Sequence, residues 1–233
     1  MAIIAQGRQS LSAVTESGLQ ARFHLIFMIQ KSLFVEPVLA IGDGAYLLTH
    51  FVDGDAFLNA ALATAEAAPF RHMQTPSGKF TAAKMSNCGA FGWMSDRDGY
   101  RYSPLDPFSN QPWPAMPAAF SDVAKSAVDA CGLGDFAPDA CLINRYDAKA
   151  AMGQHQDRDE IDLTQPIVSV SLGDSTVFLL GGDTRKSPTK KITLNHGDVL
   201  VLSGAARNAF HGVRAPSAGT FGFRVNLTLR RAR

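Results

Sequence analysis

The spacing of hydrophobic residues along the chain changes near residue 138, from stretches of helical character to short strand-like runs. Before that point, residues 45–51 form a short apolar run that predicts a strand. Alanine dominates residues 55–67, an aspartate can cap their start and Pro69 follows them, which together predict a helix. Residues 118–130 predict a second helix, because a proline stands near its start and a glycine after its end.

After residue 138 the chain is a succession of short strand-like segments. Apolar residues alternate with polar ones or form short uninterrupted runs, and Gly-, Pro- and Asp-rich turns separate them. Such a series is typical of an antiparallel sandwich or barrel, so we expect a mainly β fold with flanking helices. The segments are CLINRY, IVSVSL, TVFLL, KITL, DVLVL, AFHGV and FRVNLTLR.

Two regions lack this regularity. Residues 74–117 are rich in Gly, Pro, Ser, Asn and Asp and contain both tryptophans, so a loop with a short hairpin is predicted there rather than core. A long ordered loop often carries function. Residues 1–27 have no strong periodicity and admit two interpretations, a weak transit peptide or a non-native, disordered extension upstream of a true start at Met28.

The composition is that of an ordinary globular protein. Of the 233 residues, 46% are hydrophobic and 18% are charged, which suffices for the core of one large domain. No apolar run is long enough for a membrane-spanning helix, so no membrane association is expected. Three cysteines without C-x-x-C spacing disfavour a disulfide framework or a cysteine zinc site. They favour a reducing compartment, and we expect the cytoplasm.

The formal net charge of +1 conceals an uneven distribution. Residues 184–233 contain ten Lys or Arg and one acid, Asp198, whereas acids are in excess in the preceding residues. This basic segment predicts a surface that faces a polyanion. A set of solvated Lys and Arg side chains would give the same count, so both interpretations stay open.

One pair of residues has the spacing of metal ligands. In an extended strand the side chains of His155 and Asp157 point to the same side and can bind one ion together. His211 lies in another predicted strand, and two histidines with one carboxylate are the ligand set of mononuclear non-haem iron(II) oxygenases. The H-x-D spacing alone is a weak signal, because ordinary polar residues at a sheet edge also produce it.

The C-terminal strand gives an independent indication. In residues 224–230 the polar side chains alternate with valine and leucine, so one face packs on a core and the other faces a polar interior. Arg224 and Arg230 on that inner face would be costly unless an anion meets them, and a dicarboxylate suits guanidinium groups. A solvated edge strand is the alternative interpretation. Asn144 and Tyr146 show the same two-residue spacing in another strand.

Together these residues resemble the AlkB family, whose members are iron(II)- and 2-oxoglutarate-dependent dioxygenases that demethylate alkylated nucleobases. The resemblance extends over roughly residues 35–231, with the motifs in order. It rests on the segments MSNCGAFGW, GYRYSPLDP, PWPAMP, NRY, HQDRDE, PIVSVSLG, HGDV, FHG and RVNLTLR.

The resemblance implies a double-stranded β-helix, or jelly roll, over residues 138–233. N-terminal helices and a nucleotide-recognition lid would occupy residues 28–137, and the whole would form one dioxygenase domain. It further implies that Fe(II) is bound by the metal and catalytic residues His155, Asp157 and His211, with 2-oxoglutarate and O2 as co-substrates. The implied 2-oxoglutarate pocket consists of Asn144, Tyr146, Arg224, Asn226 and Arg230.

The implied substrate is an alkylated nucleic acid. Trp93 would stack on a base that has been flipped out of its strand. Further substrate contacts would come from Met85, Tyr100, Tyr102, Asp159 and Arg185.

The implied activity is a repair reaction in which an N-methyl carbon is oxidised and leaves as formaldehyde, while 2-oxoglutarate is decarboxylated. The expected substrates are 1-methyladenine and 3-methylcytosine in single-stranded DNA, with RNA as a second candidate. Their Watson–Crick edge is exposed in single strands, where flipping costs less. We expect a monomer.

Two alternatives differ from this prediction. A 2-oxoglutarate dioxygenase that acts on a protein or a small molecule would keep the iron and co-substrate residues without needing Trp93, the two tyrosines or the basic segment. A catalytically inactive nucleic-acid-binding module would lose a metal ligand or an anchor arginine, and none is missing. Leu202, Phe210 and Val225 depart from residues frequent in bacterial members, so the substrate preference is less defined than the reaction class.

Overall fold

The strand-like segments after residue 138 are built into two antiparallel sheets. The computed structural model describes residues 38–233, and the extension predicted over residues 1–27 lies outside them. The strands are β1 Val38–Gly42, β2 Ala45–Leu48, β3 Arg71–Gln74, β4 Phe80–Gly89, β5 Gly92–Asp96, β6 Gly99–Ser103, β7 Ala140–Asp147, β8 Met152–His155, β9 Ile167–Gly173, β10 Thr176–Leu180, β11 Lys190–Leu194, β12 Val199–Leu202, β13 His211–Val213 and β14 Phe223–Arg230. The helices are α1 Gly54–Ala67, α2 Ala118–Ala130 and α3 Gly204–Arg207.

The two sheets face each other across the interior. The larger sheet has the strand order β1-β2-β12-β9-β14-β7-β4-β3, and the smaller has the order β11-β10-β13-β8. Apolar side chains of β10 and β11 pack against those of β9 and β12 at one end of the sandwich. At the other end the sheets separate and enclose a cavity. This two-sheet arrangement confirms the predicted mainly β, jelly-roll architecture with flanking helices.

Strand β14 lies at the centre of the larger sheet and separates its two faces. Val225, Leu227 and Leu229 are fully buried on the outer face, where they pack with the apolar side chains of α1 and α2. Arg224 and Arg230 are nearly as buried on the inner face. The strand therefore has no solvated side, and the predicted division of its residues between an apolar core and a polar interior is confirmed.

Both predicted helices form, and they cover the outer face of the larger sheet. The Asp53 side chain accepts a hydrogen bond from the backbone N–H of Ala56 (3.1 Å), which caps α1. Helix α2 begins after Pro117 and ends before Gly132, at the predicted bounds. The shorter helix α3 was not predicted.

The prediction for residues 74–117 is wrong in one part. This stretch contains β4, a ten-residue strand in the larger sheet, in addition to the predicted short hairpin. The sequence of β4 suggests a loop because Ser86 and Asn87 interrupt its apolar residues. Both polar side chains are buried and hydrogen-bonded, Ser86 to the backbone carbonyl of Ala68 (2.5 Å) and Asn87 to the hairpin.

The larger sheet also crosses the boundary expected between residues 137 and 138. Strands β1 to β4 precede that boundary, and two of them, β2 and β4, pair with β12 and β7, which follow it. Residues 37–233 accordingly form one compact unit. Only the β5–β6 hairpin, a separate two-stranded sheet, has the independence expected of a lid.

The β5–β6 hairpin is fastened to β4 by Asn87 and Trp113. The Asn87 amide accepts a hydrogen bond from the backbone N–H of Trp93 and donates one to its carbonyl, both at 2.9 Å. The buried Trp113 ring packs against Gly92, where an added Cβ would lie 2.3 Å from the ring. Glycine at position 92 therefore lets the hairpin approach the Trp113 ring. The next residue, Trp93, is held by Asn87 at both its backbone N–H and its carbonyl.

None of the helices within residues 38–233 has the length and apolar character needed to cross a membrane.

Replacing Asn87 by alanine should loosen the hairpin. The change leaves a buried backbone N–H and a buried carbonyl of Trp93 without partners, so we expect the free energy of unfolding to fall by about 2–4 kcal/mol. Urea unfolding followed by circular dichroism measures this loss. Asn59→Ala, on the exposed face of α1, is the matched control and should change stability by less than about 0.5 kcal/mol. Equal effects of the two substitutions would contradict the role given to Asn87.

Candidate metal centre and substrate cavity

The three predicted metal ligands come together at the edge of the smaller sheet. His155 and His211 are paired directly across β8 and β13, and their ring centroids are 4.5 Å apart. Asp157 follows β8 by two residues, and its carboxylate oxygens lie 3.7 Å from Nε2 of His155 and 3.8 Å from Nε2 of His211. The three ligand atoms all lie within 4.8 Å of one another. The pairing of β8 with β13 thus brings His211 next to the H-x-D segment, although the two are far apart in the sequence.

Backbone carbonyls orient both imidazole rings. Nδ1 of His155 lies 2.9 Å from the carbonyl oxygen of Gly153, and Nδ1 of His211 lies 3.1 Å from that of Ala209. A carbonyl oxygen only accepts, so each Nδ1 carries the proton and each neutral ring offers the Nε2 lone pair. Burial lowers the pKa of His211, although Asp157 acts in the opposite sense, and the neutral form is thereby favoured. Two imidazole nitrogens and a carboxylate in this arrangement fit Fe(II).

Asp157 is held in its ionised form by positive neighbours. Burial alone would raise the pKa of this carboxyl group, but the charge of Arg230 and, to a smaller extent, the electrostatic effect of the two imidazole rings lower it by more. Its pKa therefore lies well below the ordinary value. Arg230 makes the shortest of these contacts, with Nη2 at 2.7 Å from Oδ2 of Asp157.

Arg230 belongs to a buried cluster of four charges. Besides Asp157, its guanidinium group meets Glu160 at 3.4 Å, and Glu160 in turn binds Arg207 at 2.9 Å. Arg207 also donates to the backbone carbonyl of Asp157 (2.8 Å). The contact of Arg230 with a ligand dicarboxylate stays a prediction, and in the structure its guanidinium group meets two carboxylates of the chain. It lines the cavity as the support of Asp157.

Arg224 is the buried cation that lacks an acidic partner. It is 2% exposed, and within residues 38–233 no carboxylate lies within ion-pair distance of it. One nitrogen, Nη2, donates to Ser171 (2.9 Å) and Asn226 (2.6 Å), while Nε has no partner. Burial lowers the pKa of Arg224, and the adjacent Tyr146 partly offsets this effect. A buried guanidinium group of this kind is costly unless a ligand anion completes it.

The other residues of the predicted 2-oxoglutarate pocket surround Arg224. Tyr146 and Asn144 are opposite Arg224 and Asn226 in the pairing of β7 with β14. The Arg224 guanidinium carbon lies 5.2 Å from the centre of the Tyr146 ring. The Asn144 side-chain oxygen is buried without a partner, so it too is free to meet a ligand. All four residues line the cavity.

The cavity between the sheets has a volume of about 480 Å³. It is lined both by the three predicted metal ligands and by the residues of the predicted 2-oxoglutarate pocket. Its floor carries the metal-ligand cluster and Arg224, and the β5–β6 hairpin contributes to its wall. Of the predicted site residues, those that line it are Met85, Trp93, Tyr100, Asn144, Tyr146, His155, Asp157, Asp159, Arg185, His211, Arg224, Asn226 and Arg230.

Two aromatic rings of the hairpin stack on each other at the cavity wall. The rings of Trp93 and Tyr100 are 5.6 Å apart at an interplanar angle of 16°. The indole N–H of Trp93 donates to Oδ2 of Asp159 at 2.7 Å. The hairpin and the segment that follows the metal ligand Asp157 are thus joined by a hydrogen bond between two predicted substrate contacts.

Tyr102 is the predicted substrate contact that the structure does not bring to the cavity. It shares a face of the hairpin with Tyr100 but lies deeper, is buried, and donates its hydroxyl to Glu160 at 2.6 Å. Burial raises the pKa of Tyr102, so the hydroxyl stays protonated and remains a donor. Its observed contact is therefore with the charge cluster beneath the metal centre.

The remaining predicted contacts lie on opposite sides of the cavity. Arg185 donates to the backbone carbonyl of Gln154, next to His155, and its guanidinium group lies 5.1 Å from the centre of the Phe210 ring. Met85, on β4, is almost fully buried. Arg185 can therefore reach a polar group at the cavity opening, whereas Met85 offers an apolar surface within it.

Sequence reasoning missed Glu160 and Arg207 as parts of the site. Glu160 stands in the acidic run HQDRDE beside the metal ligand, but nothing in that run distinguishes a buried acid from an exposed one. Arg207 stands in the short helix α3 and counted only as one more basic residue of the C-terminal segment. Both are buried, and their pairing becomes visible only when the two segments meet.

The chain is similar to known proteins over most of its length. Residues 44–230 match the 2OG-Fe(II) oxygenase superfamily. A relative from Escherichia coli (strain K12), the alpha-ketoglutarate-dependent dioxygenase AlkB, is 46% identical over 203 residues, which cover 84% of this chain and 93% of that protein. The nucleic acid dioxygenase ALKBH1 of Homo sapiens is 32% identical over 116 residues, 49% of this chain and 30% of that protein. Among solved structures, that of OsALKBH1 matches with a TM-score of 0.72 and 27% identity, and covers 84% of this chain and 100% of that chain.

Replacing Arg207 by methionine should destabilise the protein strongly. The change leaves Glu160 buried with one positive partner fewer, and breaking a buried pair in this way costs about 3–5 kcal/mol. The midpoint of urea unfolding measures the loss. Arg214→Met, at an exposed position, is the matched control. A double variant that adds Glu160→Gln should recover part of the stability, and a double variant no better than the single one would contradict the pairing.

Proposed function

The chain belongs to the AlkB family within the 2OG-Fe(II) oxygenase superfamily, and we propose on that basis that it removes methyl groups oxidatively from N-alkylated bases of nucleic acids. One observation carries this proposal: a two-histidine, one-carboxylate cluster and an unpaired buried arginine share a cavity whose wall holds an exposed aromatic stack. In the overall reaction a methylated base, 2-oxoglutarate and O2 give the unmethylated base, formaldehyde, succinate and CO2.

In this proposal His155, Asp157 and His211 hold Fe(II), which when bound supplies the O2-dependent oxidation of a C–H bond. The protein keeps these ligands ready. The carbonyls of Gly153 and Ala209 accept from Nδ1 of each ring, so that the Nε2 lone pairs are the ones available to a metal, and Arg230 keeps Asp157 anionic. The three side chains also leave one side of the centre open toward the cavity.

Arg224 receives a carboxylate of 2-oxoglutarate in the same proposal. The buried Nε of Arg224 and the buried oxygen of Asn144 have no partners in the chain, and a bound co-substrate with its water shell offers both an acceptor and a donor. Asn226 and Tyr146 hold the guanidinium group in place from two sides. Arg230 takes part by fixing Asp157.

Trp93 and Tyr100 provide the surface on which a flipped base stacks. A base taken out of its strand loses its neighbours, and an aromatic side chain restores about 1–3 kcal/mol of stacking. Met85 lines the same space, Asp159 can accept a hydrogen bond from the base, and Arg185 stands at the opening. An acceptor at this place favours bases that carry an amino group, such as 1-methyladenine and 3-methylcytosine.

Single-stranded DNA is the proposed form of the substrate, and RNA is its closest competitor. An unpaired base is flipped at lower cost than a paired one, and both lesions block Watson–Crick pairing. An apolar wall with two stacked rings suits a planar base better than a flexible protein side chain, which speaks against the alternative of a protein or small-molecule substrate. The monomeric state and the cytoplasmic location stay predictions.

Purified protein should release formaldehyde from a short single-stranded oligonucleotide that contains 3-methylcytosine, in the presence of Fe(II), 2-oxoglutarate and O2. His155→Ala should reduce the release by at least about a thousandfold, because the metal loses one of three protein ligands. Formaldehyde assay and mass spectrometry of the oligonucleotide measure the reaction. Absence of turnover by wild-type protein that holds iron would contradict the proposed function.

Two substitutions should separate co-substrate binding from base binding. Arg224→Met should weaken 2-oxoglutarate binding by about a hundredfold, because a charge-assisted contact is lost, and should leave oligonucleotide binding unchanged. Trp93→Ala should weaken binding of the methylated oligonucleotide by about tenfold or more and spare 2-oxoglutarate. Calorimetry and fluorescence anisotropy measure the two affinities. Loss of both affinities in either variant would mean that the replaced side chain is structural.

A further inference from the structure

The hydrogen bond between Trp93 and Asp159 joins the stacking surface to the acceptor that would meet the base. The indole N–H occupies Oδ2 of Asp159 at 2.7 Å, and within residues 38–233 no second donor is bonded to this carboxylate. Both side chains line the cavity. One oxygen of Asp159 is therefore anchored, and the other remains available for a ligand.

Asp159 differs in this respect from the two other acids of its segment. Asp157 is paired with Arg230, and Glu160 is paired with Arg207 and accepts from Tyr102. Within the described part of the chain Asp159 has no cationic partner at ion-pair distance, and its recorded donor is a neutral indole. Its carboxylate is thus left without an ion pair at the cavity wall.

We propose that the Trp93 indole N–H is a specificity-determining donor, which fixes the orientation of Asp159 so that its free oxygen accepts the exocyclic amino group of the base. Trp93 would then stack on the base and also select it. This inference rests on the proposed function. It predicts discrimination between N-methylated bases that carry an amino group and those that carry a carbonyl group at the same position.

The selection follows from what each group can donate. An ionised carboxylate only accepts hydrogen bonds, so it attracts an amino group and repels a carbonyl oxygen. The base 3-methylcytosine is cationic near neutral pH and gains further from the negative charge of Asp159. The base 3-methyluracil has the same ring and the same methyl group, but a carbonyl oxygen replaces the amino group, so the two bases differ at this position and in the positive charge that accompanies the amino group.

The donor is rigid enough to set the orientation of Asp159. Asn87 binds both backbone groups of Trp93, and the Tyr100 ring stacks on the indole. An aspartate without such an anchor can rotate about its side-chain bonds and turn either oxygen away from the base. The indole N–H removes that freedom before the base arrives.

Trp93→Phe is the first test, since it retains an aromatic face and removes the donor. We expect the ratio of kcat/KM for oligonucleotides with 3-methylcytosine and with 3-methyluracil to fall on the order of tenfold, the effect of a lost hydrogen bond to a charged group. The ratio of the Kd for 3-methyluracil to the Kd for 3-methylcytosine, measured without O2, should fall with it. Ser95→Ala, which removes a buried hydrogen bond from the same strand to the carbonyl of Gln74, is the control and should keep both ratios.

Asp159→Asn is the sharper test, because its effect should depend on Trp93. With the indole present, the amide oxygen must accept the indole N–H, so the amide NH2 group faces the base and the preference shifts toward 3-methyluracil. In the Trp93→Phe background the amide can turn either way, so most of that shift should disappear. Thermal unfolding of each variant verifies that the fold is retained.

The outcomes separate this inference from the proposed function. A Trp93→Phe variant that keeps the wild-type ratios would overturn the inference, as would an Asp159→Asn shift of equal size in both backgrounds. Wild-type protein that prefers 3-methylcytosine in binding but oxidises neither oligonucleotide would contradict the proposed function and leave the inference standing. Wild-type protein without any preference in binding or turnover would overturn the inference alone if it still releases formaldehyde.

Discussion

The burial of two guanidinium groups on the inner face of β14 is the constraint on which the site depends. A charge in the interior is stable only where a partner meets it. The chain answers this requirement differently at the two ends of the strand. Arg230 meets Asp157 and Glu160, whereas Arg224 meets only neutral side chains. One arginine is therefore neutralised by acids of the chain, and the other has no acidic partner among residues 38–233 and can meet an anionic ligand.

The cluster around Arg230 links the metal centre to the hairpin. Two arginines and two carboxylates balance in charge, and Tyr102 donates to Glu160 from the hairpin strand β6. A displacement of the hairpin would remove this donor from a buried acid. The position of the stacking surface and the orientation of Asp157 consequently rest on the same group of hydrogen bonds, although Trp93 lies in the hairpin and Asp157 follows a strand of the smaller sheet.

The sequence predicted the parts of the fold that local patterns specify. Helix α2 and strand β14 have the expected bounds, because capping residues mark the helix and strict alternation marks the strand. Strands β4 and β8 were missed for the opposite reason. Ser86 and Asn87 make β4 look like a loop, and MGQH becomes a strand only by pairing with β13. Tertiary pairing, not local propensity, defines these two strands.

The site shows the same limit. Alternation places Arg224 and Arg230 on one face of β14, and this placement is confirmed. Alternation does not indicate how deeply a side chain is buried. It also does not indicate which side chains from distant segments will be its hydrogen-bond or ion-pair partners. For that reason the ion pairs of Arg230 with Asp157 and Glu160 could not be predicted. The buried hydrogen bond from Tyr102 to Glu160 could not be predicted either. Val225, which departs from the family pattern, lies in the apolar core and not at the cavity.

The charge of the C-terminal segment bears on how a nucleic acid would be selected. Three of its ten basic residues, Arg207, Arg224 and Arg230, are buried, so part of the apparent basic surface is interior. The Lys190 amino group is bonded to the carbonyl of Ile41. Attraction of phosphates by the few remaining cations is independent of base identity and weakens as salt rises. In the proposed function, such unselective contact with the backbone would leave discrimination to the cavity, where the Asp159 carboxylate beside an aromatic ring would distinguish one base edge from another. A strongly basic surface would instead hold undamaged strands as firmly as damaged ones.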